Sequence, residues 1–570
     1  MRWSQMYAPT LREDPAGADA ASHRLLLRAG FMRQLMAGHY SLLPLAVRVR
    51  SKIMNIIREE MDGIGAQEFL LPTMHPAEIW HRSGRWDVMG QEMFRLEDRK
   101  GASIALGVTH EEIFTTIAQE LNSYRQLPQM WYQFQTKFRD EPRPKSGLIR
   151  VREFTMKDSY SFDLDEAGLD RSYQLHRNAY LRIFARLGIP AIPVHASNGT
   201  MGGSDSVEFM CPSPAGEDDV VTCTSCEYAA NIEKAESALP AVTDEDGAAQ
   251  PTAFDTPGVR TIEDLHEKFG VSGERQVKTL VYMLDEQLTV VLLRGDHSLV
   301  EQKLTDATGA VSIRPAHPEE IREALGALPG SLGAVGITDL PVIADLSLRG
   351  RRAMVTGANK DGVHLEGVDV ERDIAPQRWT DLRAVTAGEA CPQCGSGLAL
   401  HRAVEVGHIF KLGHKYSKPL DAYVLDPEGR RVPVTMASFG IGVERALACV
   451  AETHHDENGL TWPVNLAPFE ATVIVAQPKD EECVRVGEEL YQSLRRSGVD
   501  AVIDDRDERP GSKFRDAELT GIPYRLVVGT RGLAQGTVEV TIRATGETVH
   551  VPVAEVAAQV SEQIRAAVAV

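Results

Sequence analysis

The chain has 570 residues, 43% hydrophobic and 25% charged. This composition excludes a collagen-like, coiled-coil or largely disordered protein, and at ~100–200 residues per domain the length predicts about three to five domains. The 61 Lys and Arg against 81 Asp and Glu give a net charge of −20; such an acidic chain does not coat nucleic acid non-specifically, and a specific RNA partner would need local basic patches.

No signal-peptide core follows Met1–Tyr7, and no apolar run approaches the ~18 residues of a membrane span. Seven cysteines, an odd count in a long chain, predict a reducing compartment. The expectation is a cytoplasmic protein with no membrane partner.

Val49, Ile53, Ile56, Ile57 and Met61 recur at helical spacing and predict a helix over Leu45–Met61, stopped by Gly63 and Gly65. Phe69-Leu70-Leu71-Pro72 reads as a strand cut off by proline. Thr109-His110-Glu111-Glu112 precedes a helix (Ile113–Leu121) and looks like an N-cap with an acidic first turn. From Met130 the period becomes two. Met130, Tyr132, Phe134 and Phe138 predict a core face, and Gln133, Gln135, Lys137, Arg139 and Glu141 a polar one. After a loop over 142–147 the chain returns antiparallel through Leu148–Met156, with Arg150, Arg152 and Phe154 on one face. Guanidiniums beside a phenyl ring suit a nucleotide: bidentate contacts to phosphate and a ring for the base. The bland alternative is a salt-bridged sheet surface.

Residues 223–404 read as an insertion, opened by Cys223-x-x-Cys226 and closed by Cys391-x-x-Cys394. It has strands at Thr279–Leu284 and Leu288–Leu293, and a linker over 238–257. The paired cysteines have the spacing of a structural zinc ribbon, across a far longer gap than in a zinc finger; four reduced thiols are the alternative. Beyond a strand at Val432–Met436, Ser438-Phe439-Gly440-Ile441-Gly442-Val443-Glu444-Arg445 opens a helix to about Glu452. Glycines at such a junction allow close backbone approach. An arginine in a helix's first turn is electrostatically misplaced unless it faces an anion. From residue 466 strands alternate with helices, predicting a small α/β domain with a mostly parallel core.

These segments, taken together, resemble a known family. Phe138-Arg139-Asp140-Glu141 with Arg150-x-x-x-Phe154, and Gly440-x-Gly442-x-Glu444-Arg445, resemble motifs 2 and 3 of the class II aminoacyl-tRNA synthetases; the helix-strand-Pro72 unit resembles motif 1. Longer strings (Gln135–Glu141, Arg152–Phe162, Glu405–Tyr416 and Asp504–Gly511) resemble the bacterial-type prolyl-tRNA synthetases over nearly the whole chain. The resemblance implies a multidomain α+β/α/β fold: an antiparallel-sheet catalytic core (1–222 and 405–465), an inserted α+β editing domain (223–404) and an α/β anticodon-binding domain (466–570). It implies ATP and Mg²⁺, with a structural Zn²⁺ on the four cysteines left open, and L-proline, tRNA(Pro) and a second copy of the chain as partners.

The resemblance assigns Arg139 to the α-phosphate, Glu141 to the adenine amino group or to orienting Arg139, and Phe154 to stacking on adenine. Arg150 goes to the nucleotide and Arg445 to the γ-phosphate or pyrophosphate, with Arg152 left open. Thr109, Glu111, Glu208 and Ser438 would form the proline pocket, Glu111 accepting from the ammonium. Two positions depart from the family: Val207, where His is usual, and Ser438, where Cys is usual. Arg143 and Lys145 are candidates for the acceptor stem, Arg506 and Arg509 for anticodon guanines. In the insert, Lys278, Asp345 and His364 match segments of the editing domain. A synthetase for another amino acid, a tRNA-sensing paralogue and a stand-alone deacylase are the rival readings; intact Arg139, Glu141, Phe154 and Arg445 argue against the last two.

Overall fold

The structure is a computed structural model that describes residues 1–568 except 241, 246–248 and 311. Contacts divide it into two compact units: residues 1–193, 200–218 and 402–570, and residues 194–199 with 219–401.

In the first unit, helix α1 (Pro44–Gly63) begins with proline at N1 and buries Val49, Ile53, Ile56, Ile57 and Met61, the stripe that its 3.6-residue period predicts. Strand β1 (Gln67–Phe69), helix α2 (Glu111–Ala118), strands β2 (Gln129–Phe138) and β3 (Glu153–Asp163), helix α3 (Glu166–Arg186), strands β4 (Asp205–Pro212), β5 (Leu398–Gly413) and β6 (Thr435–Gly442), and helix α4 (Val443–Thr453) complete its central layer. The strands lie in the order β4-β5-β6-β3-β2-β1; all neighbours are antiparallel except β1 and β2.

Alternation decides what each face of this sheet does. Tyr132, Phe134, Ile409, Phe439 and Ile441 point to the helix side and join one hydrophobic core with residues of α1, α3 and α4. Phe439 stacks on the His176 ring, centroids 3.6 Å apart and nearly coplanar. The register puts Gln133 opposite Asp158, Asp158 opposite Gly440, Gly440 opposite His408, and His408 opposite Glu208. One polar row therefore crosses five strands on the other face.

Three expected boundaries shift. The return strand starts at Glu153, not Leu148, because Ser146 and Gly147 take positive φ and Ile149 N–H closes a turn on Ser146 O. Arg150 and Arg152 thus lie on a loop before it. Thr109 does not cap α2: His110 holds the N-cap position, and the Thr109 hydroxyl donates to Glu111 Oε2 at 2.6 Å. The strand expected at Val432–Met436 runs over Thr435–Gly442, so both glycines lie within it, and α4 begins directly after.

The C-terminal region is a five-stranded sheet, ordered Ala501–Asp504, Ala471–Val475, Tyr524–Val528, Thr537–Ile542, Thr548–Pro552. Its first three strands are parallel and the last two antiparallel. Helices Glu481–Arg496 and Val556–Val568 supply part of its separate core.

The second unit contains a five-stranded sheet, ordered Ile313–Pro315, Val277–Leu284, Gln287–Arg294, Val342–Asp345, Arg378–Thr380, and a three-stranded sheet of Thr252–Asp255, Val363–Val368 and Met354–Gly357. The expected linker over 238–257 falls outside the described residues at 241 and 246–248; its end, Thr252–Asp255, is a strand. No helix among the described residues is long and apolar enough to cross a membrane.

Phe439 is 1% exposed. Phe439→Ala is expected to destabilise the first unit by about 3–5 kcal/mol, read as a lower denaturant midpoint of far-UV circular dichroism; Phe439→Leu should recover most of that loss.

Candidate active site

Above the polar face of the sheet lies a cavity of about 500 Å³. Thr109, Glu111, Arg139, Glu141, Arg150, Phe154, Ser438 and Arg445 all line it. The side chains expected to meet around a nucleotide and an amino acid do converge on one cleft.

The floor is built by β3, β5 and β6. Phe154, Met156, Asp158 and Tyr160 alternate along β3 into the cavity, and His408 and Phe410 do so from β5. Gly440 and Gly442 stand on the same face of β6. A Cβ at Gly440 would lie 3.3 Å from Met156 Sδ, and one at Gly442 3.3 Å from Arg445 Cβ. The two glycines leave a bare strip of backbone in the cleft. Nearby, Ser438 Oγ is buried with no hydrogen-bond partner among the described residues.

Beneath this floor the expected row of surface polar groups is buried. Lys137 is wholly enclosed, and its Nζ donates to Asp158 Oδ1 at 2.7 Å. Asp158 Oδ2 accepts from Gln133 Nε2 at 3.0 Å and from the Tyr160 hydroxyl at 3.1 Å. Burial lowers the Lys137 amine and the Asp158 charge opposes that. Lys137 is therefore a floor anchor, not a presented cation.

Arg139 lies just past the end of β2, its guanidinium 5.4 Å from the centroid of the Phe154 ring. Among the described residues, long hydrogen bonds to Val108 O, 3.4 Å, and a 3.7 Å approach to Glu92 are its polar contacts, so it can turn toward an incoming anion. Arg150 is held by Glu141 at 2.9 Å and by Glu217. Arg152 does not line the cleft; it donates to Glu141 O at 2.9 Å and approaches Asp140 at 3.5 Å, a structural loop contact. Arg445 projects from the first turn of α4 and donates to Ile149 O and Glu405 O, both at 2.9 Å. Its neighbour Glu444 faces away and accepts from Arg50 Nε and Thr155 N–H, each at 2.7 Å.

At the other end of the cleft two buried carboxylates share one guanidinium. Arg85 Nη1 donates to Glu112 Oε1 at 3.0 Å and to Glu111 Oε2 at 3.3 Å. Ser83 also donates to Glu112, at 2.8 Å. Glu111 lines the cavity and Glu112 does not. The Lys415 ammonium also acts on both carboxylates, and burial raises Glu112, so Glu111 is the carboxylate this corner presents to the cavity. Glu208 approaches through His408, whose Nδ1 is 3.7 Å from Glu208 and 3.1 Å from Glu405. Burial would raise Glu405, but His408, Arg445 and Arg139 together hold it well below the usual carboxylate range. Val207, where the family usually has His, is a buried core residue.

Sequence reasoning did not single out Arg85, Asp158, Glu405 or His408. Asp158 shares the i, i+2 alternation with Phe154, which carried the signal for it. Glu405 and His408 stand in a long strand whose pattern shows no break. Arg85, in Gly84-Arg85-Trp86, lies between the motif 1 unit ending at Pro72 and Thr109, in a stretch where no motif was read, and only the fold brings it to the cleft.

Outside the cleft, Arg143 is exposed on the 139–152 loop. Arg506 is paired with Asp504 and Asp516, at 2.7 and 2.8 Å; Arg509 is exposed at the start of helix Pro510–Thr520. In the second unit Lys278 is half-buried and donates to His297 O at 2.6 Å. His364, opposite Gly357 in register, has Nδ1 2.6 Å from Thr256 Oγ1; burial lowers its pKa. Asp345 accepts from Ser347 N–H, Ser347 Oγ and Leu382 N–H, so both its oxygens are held within the fold. A Cβ on Gly333 would collide with Gly357 O, and one on Gly357 with the Ser331 carbonyl carbon, so both positions require glycine.

Residues 94–454 match the family described as tRNA synthetase class II core domain (G, H, P, S and T), and residues 470–563 match the anticodon binding domain family. Fold and site together are those of a class II aminoacyl-tRNA synthetase. The chain is 57% identical to the proline--tRNA ligase of Anaeromyxobacter sp. (strain K) over 571 residues, covering 100% of this chain and 99% of that one. It is 48% identical to that of Syntrophotalea carbinolica over 566 residues, covering 99% of both. A prolyl-tRNA synthetase of Cryptosporidium parvum, solved with halofuginone and AMPPNP, shares the fold at a TM-score of 0.59 and 14% identity, over 99% of this chain and 80% of that one. The chain belongs to the proline--tRNA ligase family.

The unpartnered hydroxyl makes a stability prediction. Removing a buried polar group that makes no hydrogen bond costs little, so Ser438→Ala should leave the thermal midpoint unchanged or raised. Removing a group that holds its neighbours should not be so mild: Asp158→Ala, which orphans buried Lys137, is expected to cost about 3–5 kcal/mol.

Proposed function

We propose that this chain joins proline to tRNA(Pro) in two steps, through a prolyl adenylate, and clears alanyl-tRNA(Pro) in its second unit. The observation that carries the first part is the convergence of Arg139, Phe154 and Arg445 on one cleft that has Glu111 in its far wall.

Phe154 stacks on the adenine, and Arg139, loosely held in the free protein, moves onto the α-phosphate. There it stabilises the charge that grows as the proline carboxylate attacks and pyrophosphate leaves. Glu141 fixes Arg150 beside the nucleotide and accepts from the adenine amino group. Arg445 takes the γ-phosphate. Thr109 orients Glu111 by its 2.6 Å hydrogen bond, and Glu111 accepts from the proline nitrogen while Glu112 stays with Arg85. Ser438 and Glu208 complete the pocket, Glu208 through His408. The Glu405 carboxylate in the cleft wall is a fitting hard donor for Mg²⁺ accompanying ATP, and the bound ion would offset phosphate charge. The acceptor stem lies along the loop carrying Arg143. Arg509 contacts an anticodon guanine, and Arg506, engaged by two aspartates, positions that strand end.

A pocket sized for proline rejects the smaller alanine poorly, because each missing methylene is worth only about 1–3 kcal/mol. A separate hydrolytic site is the remedy. Lys278 and His364 are the residues we assign to it, Lys278 holding the RNA terminus and His364 the scissile ester, with Asp345 a positioning residue. We further propose a cytoplasmic homodimer formed about motif 1, where Leu70 and Met74 flank Pro72 with 78% and 59% exposure.

Proline-dependent ATP–pyrophosphate exchange tests the ligation reading. The wild-type protein should show it, and Arg139→Ala should lose at least about 10²-fold; exchange driven by threonine and not by proline would overturn it. For the second site, Lys278→Ala should release alanine from alanyl-tRNA(Pro) at least tenfold more slowly with exchange unchanged. Deacylation as fast as wild type would remove Lys278 from that assignment.

A further inference from the structure

Four cysteine sulfurs meet inside the second unit, at the two ends of its long chain excursion. Cys223 Sγ lies 3.4 Å from Cys394 Sγ, and Cys226 Sγ lies 3.7 Å from Cys391 Sγ. All four sulfurs are within 4.8 Å of one another. Zinc–thiolate bonds of about 2.3 Å at the corners of a tetrahedron place the sulfurs about 3.8 Å apart; the 3.4 and 3.7 Å pairs are close to that, and all other pairs lie within 4.8 Å. Neutral thiols are weak hydrogen-bond partners and gain little by converging.

The backbone around the sulfurs is a second, independent observation. The two Cys-x-x-Cys turns repeat one arrangement. Ser225 N–H points at Cys223 Sγ, and Gln393 N–H points at Cys391 Sγ, both at 3.4 Å. Each turn is then closed by its own backbone: Cys223 N–H donates to Tyr228 O, Cys391 N–H to Ser396 O and Gly395 N–H to Cys391 O, at 2.9, 2.7 and 2.9 Å. Amide hydrogens aimed at sulfur disperse negative charge, so they suit thiolates better than thiols. The turns are further joined across the excursion by Thr224 N–H to Gly397 O at 3.1 Å.

The surroundings say what such a centre would do. The cysteines sit on a small apolar cluster of Val221, Ala230, Ala235, Val385 and Leu398, distinct from the clusters under the two sheets of this unit. That cluster must hold chain ends 165 positions apart, and closing so long a loop is entropically costly. We propose that Cys223, Cys226, Cys391 and Cys394 bind one Zn²⁺ as a closed tetrathiolate centre that fastens the two ends of the second unit. Four protein ligands leave no open position, so the ion is structural. All-sulfur donors favour zinc over magnesium, calcium or manganese.

The test uses the untagged full-length chain, purified under reducing conditions, dialysed against Zn²⁺ and freed of excess metal. Elemental analysis should give one zinc per chain, and a thiol-specific mercurial should release it as four thiols react. Replacing Zn²⁺ by Co²⁺ should give the charge-transfer and d–d bands of a tetrahedral thiolate site. Cys223→Ser with Cys394→Ser should remove the zinc and keep proline-dependent exchange, whereas Cys483→Ser should keep both. Wild-type protein that stays well below one zinc per chain after this loading would overturn the proposal whether or not the double variant folds. Iron as the only stoichiometric metal would overturn it equally.

Discussion

The buried Lys137–Asp158 pair is the constraint on which the cleft depends. Two charges taken out of water are costly unless every remaining lone pair and proton finds a partner. Here Lys137 engages one oxygen of Asp158, and Gln133 and Tyr160 the other, so the carboxylate is satisfied by residues of its own two strands. Those strands are thereby locked in register at the point where one carries Arg139 out of its end and the other brings Phe154 in at its start. A slip of one residue would send each side chain to the opposite face, and the ring and guanidinium would no longer meet.

The rest of the cleft follows from where charge is held and where it is left loose. Arg150, Arg445 and Arg85 each have firm carboxylate or carbonyl partners, whereas Arg139 has only long ones. A rigid frame with a single adjustable cation is what a reaction with transient charge at one phosphorus requires. At the far end of the cleft, Arg85 donates to both oxygens of Glu112 and to one of Glu111, which distinguishes two adjacent glutamates that look equivalent in the chain.

Much of this could be read from residue order. The period-two run placed Tyr132 and Phe134 on the core face of β2, and the strand–helix alternation after residue 466 matches a separate sheet whose first three strands are parallel. What could not be read was depth. Lys137 and Gln133 occupy the polar phase of the strand yet are wholly buried, because segments distant in the chain cover them: Leu71 N–H donates to Gln133 Oε1 at 3.0 Å, and Glu111 of α2 acts on Lys137. Arg150 and Arg152 seemed to share a strand face, since alternation cannot see that positive φ at Ser146 and Gly147 lengthens the loop. The capping pattern at Thr109 was equally ambiguous: its hydroxyl serves Glu111 rather than the helix terminus.

The bare strip at Gly440 and Gly442 has a one-sided consequence. Nothing smaller than hydrogen can stand there, so no replacement can enlarge the cleft over β6; every change fills it. Recognition at that spot falls to the peptide planes, whose shape all variants share. Variation in what the cleft accepts must therefore arise at the side chains around that strip, such as Ser438 and Met156, and not at the two glycines.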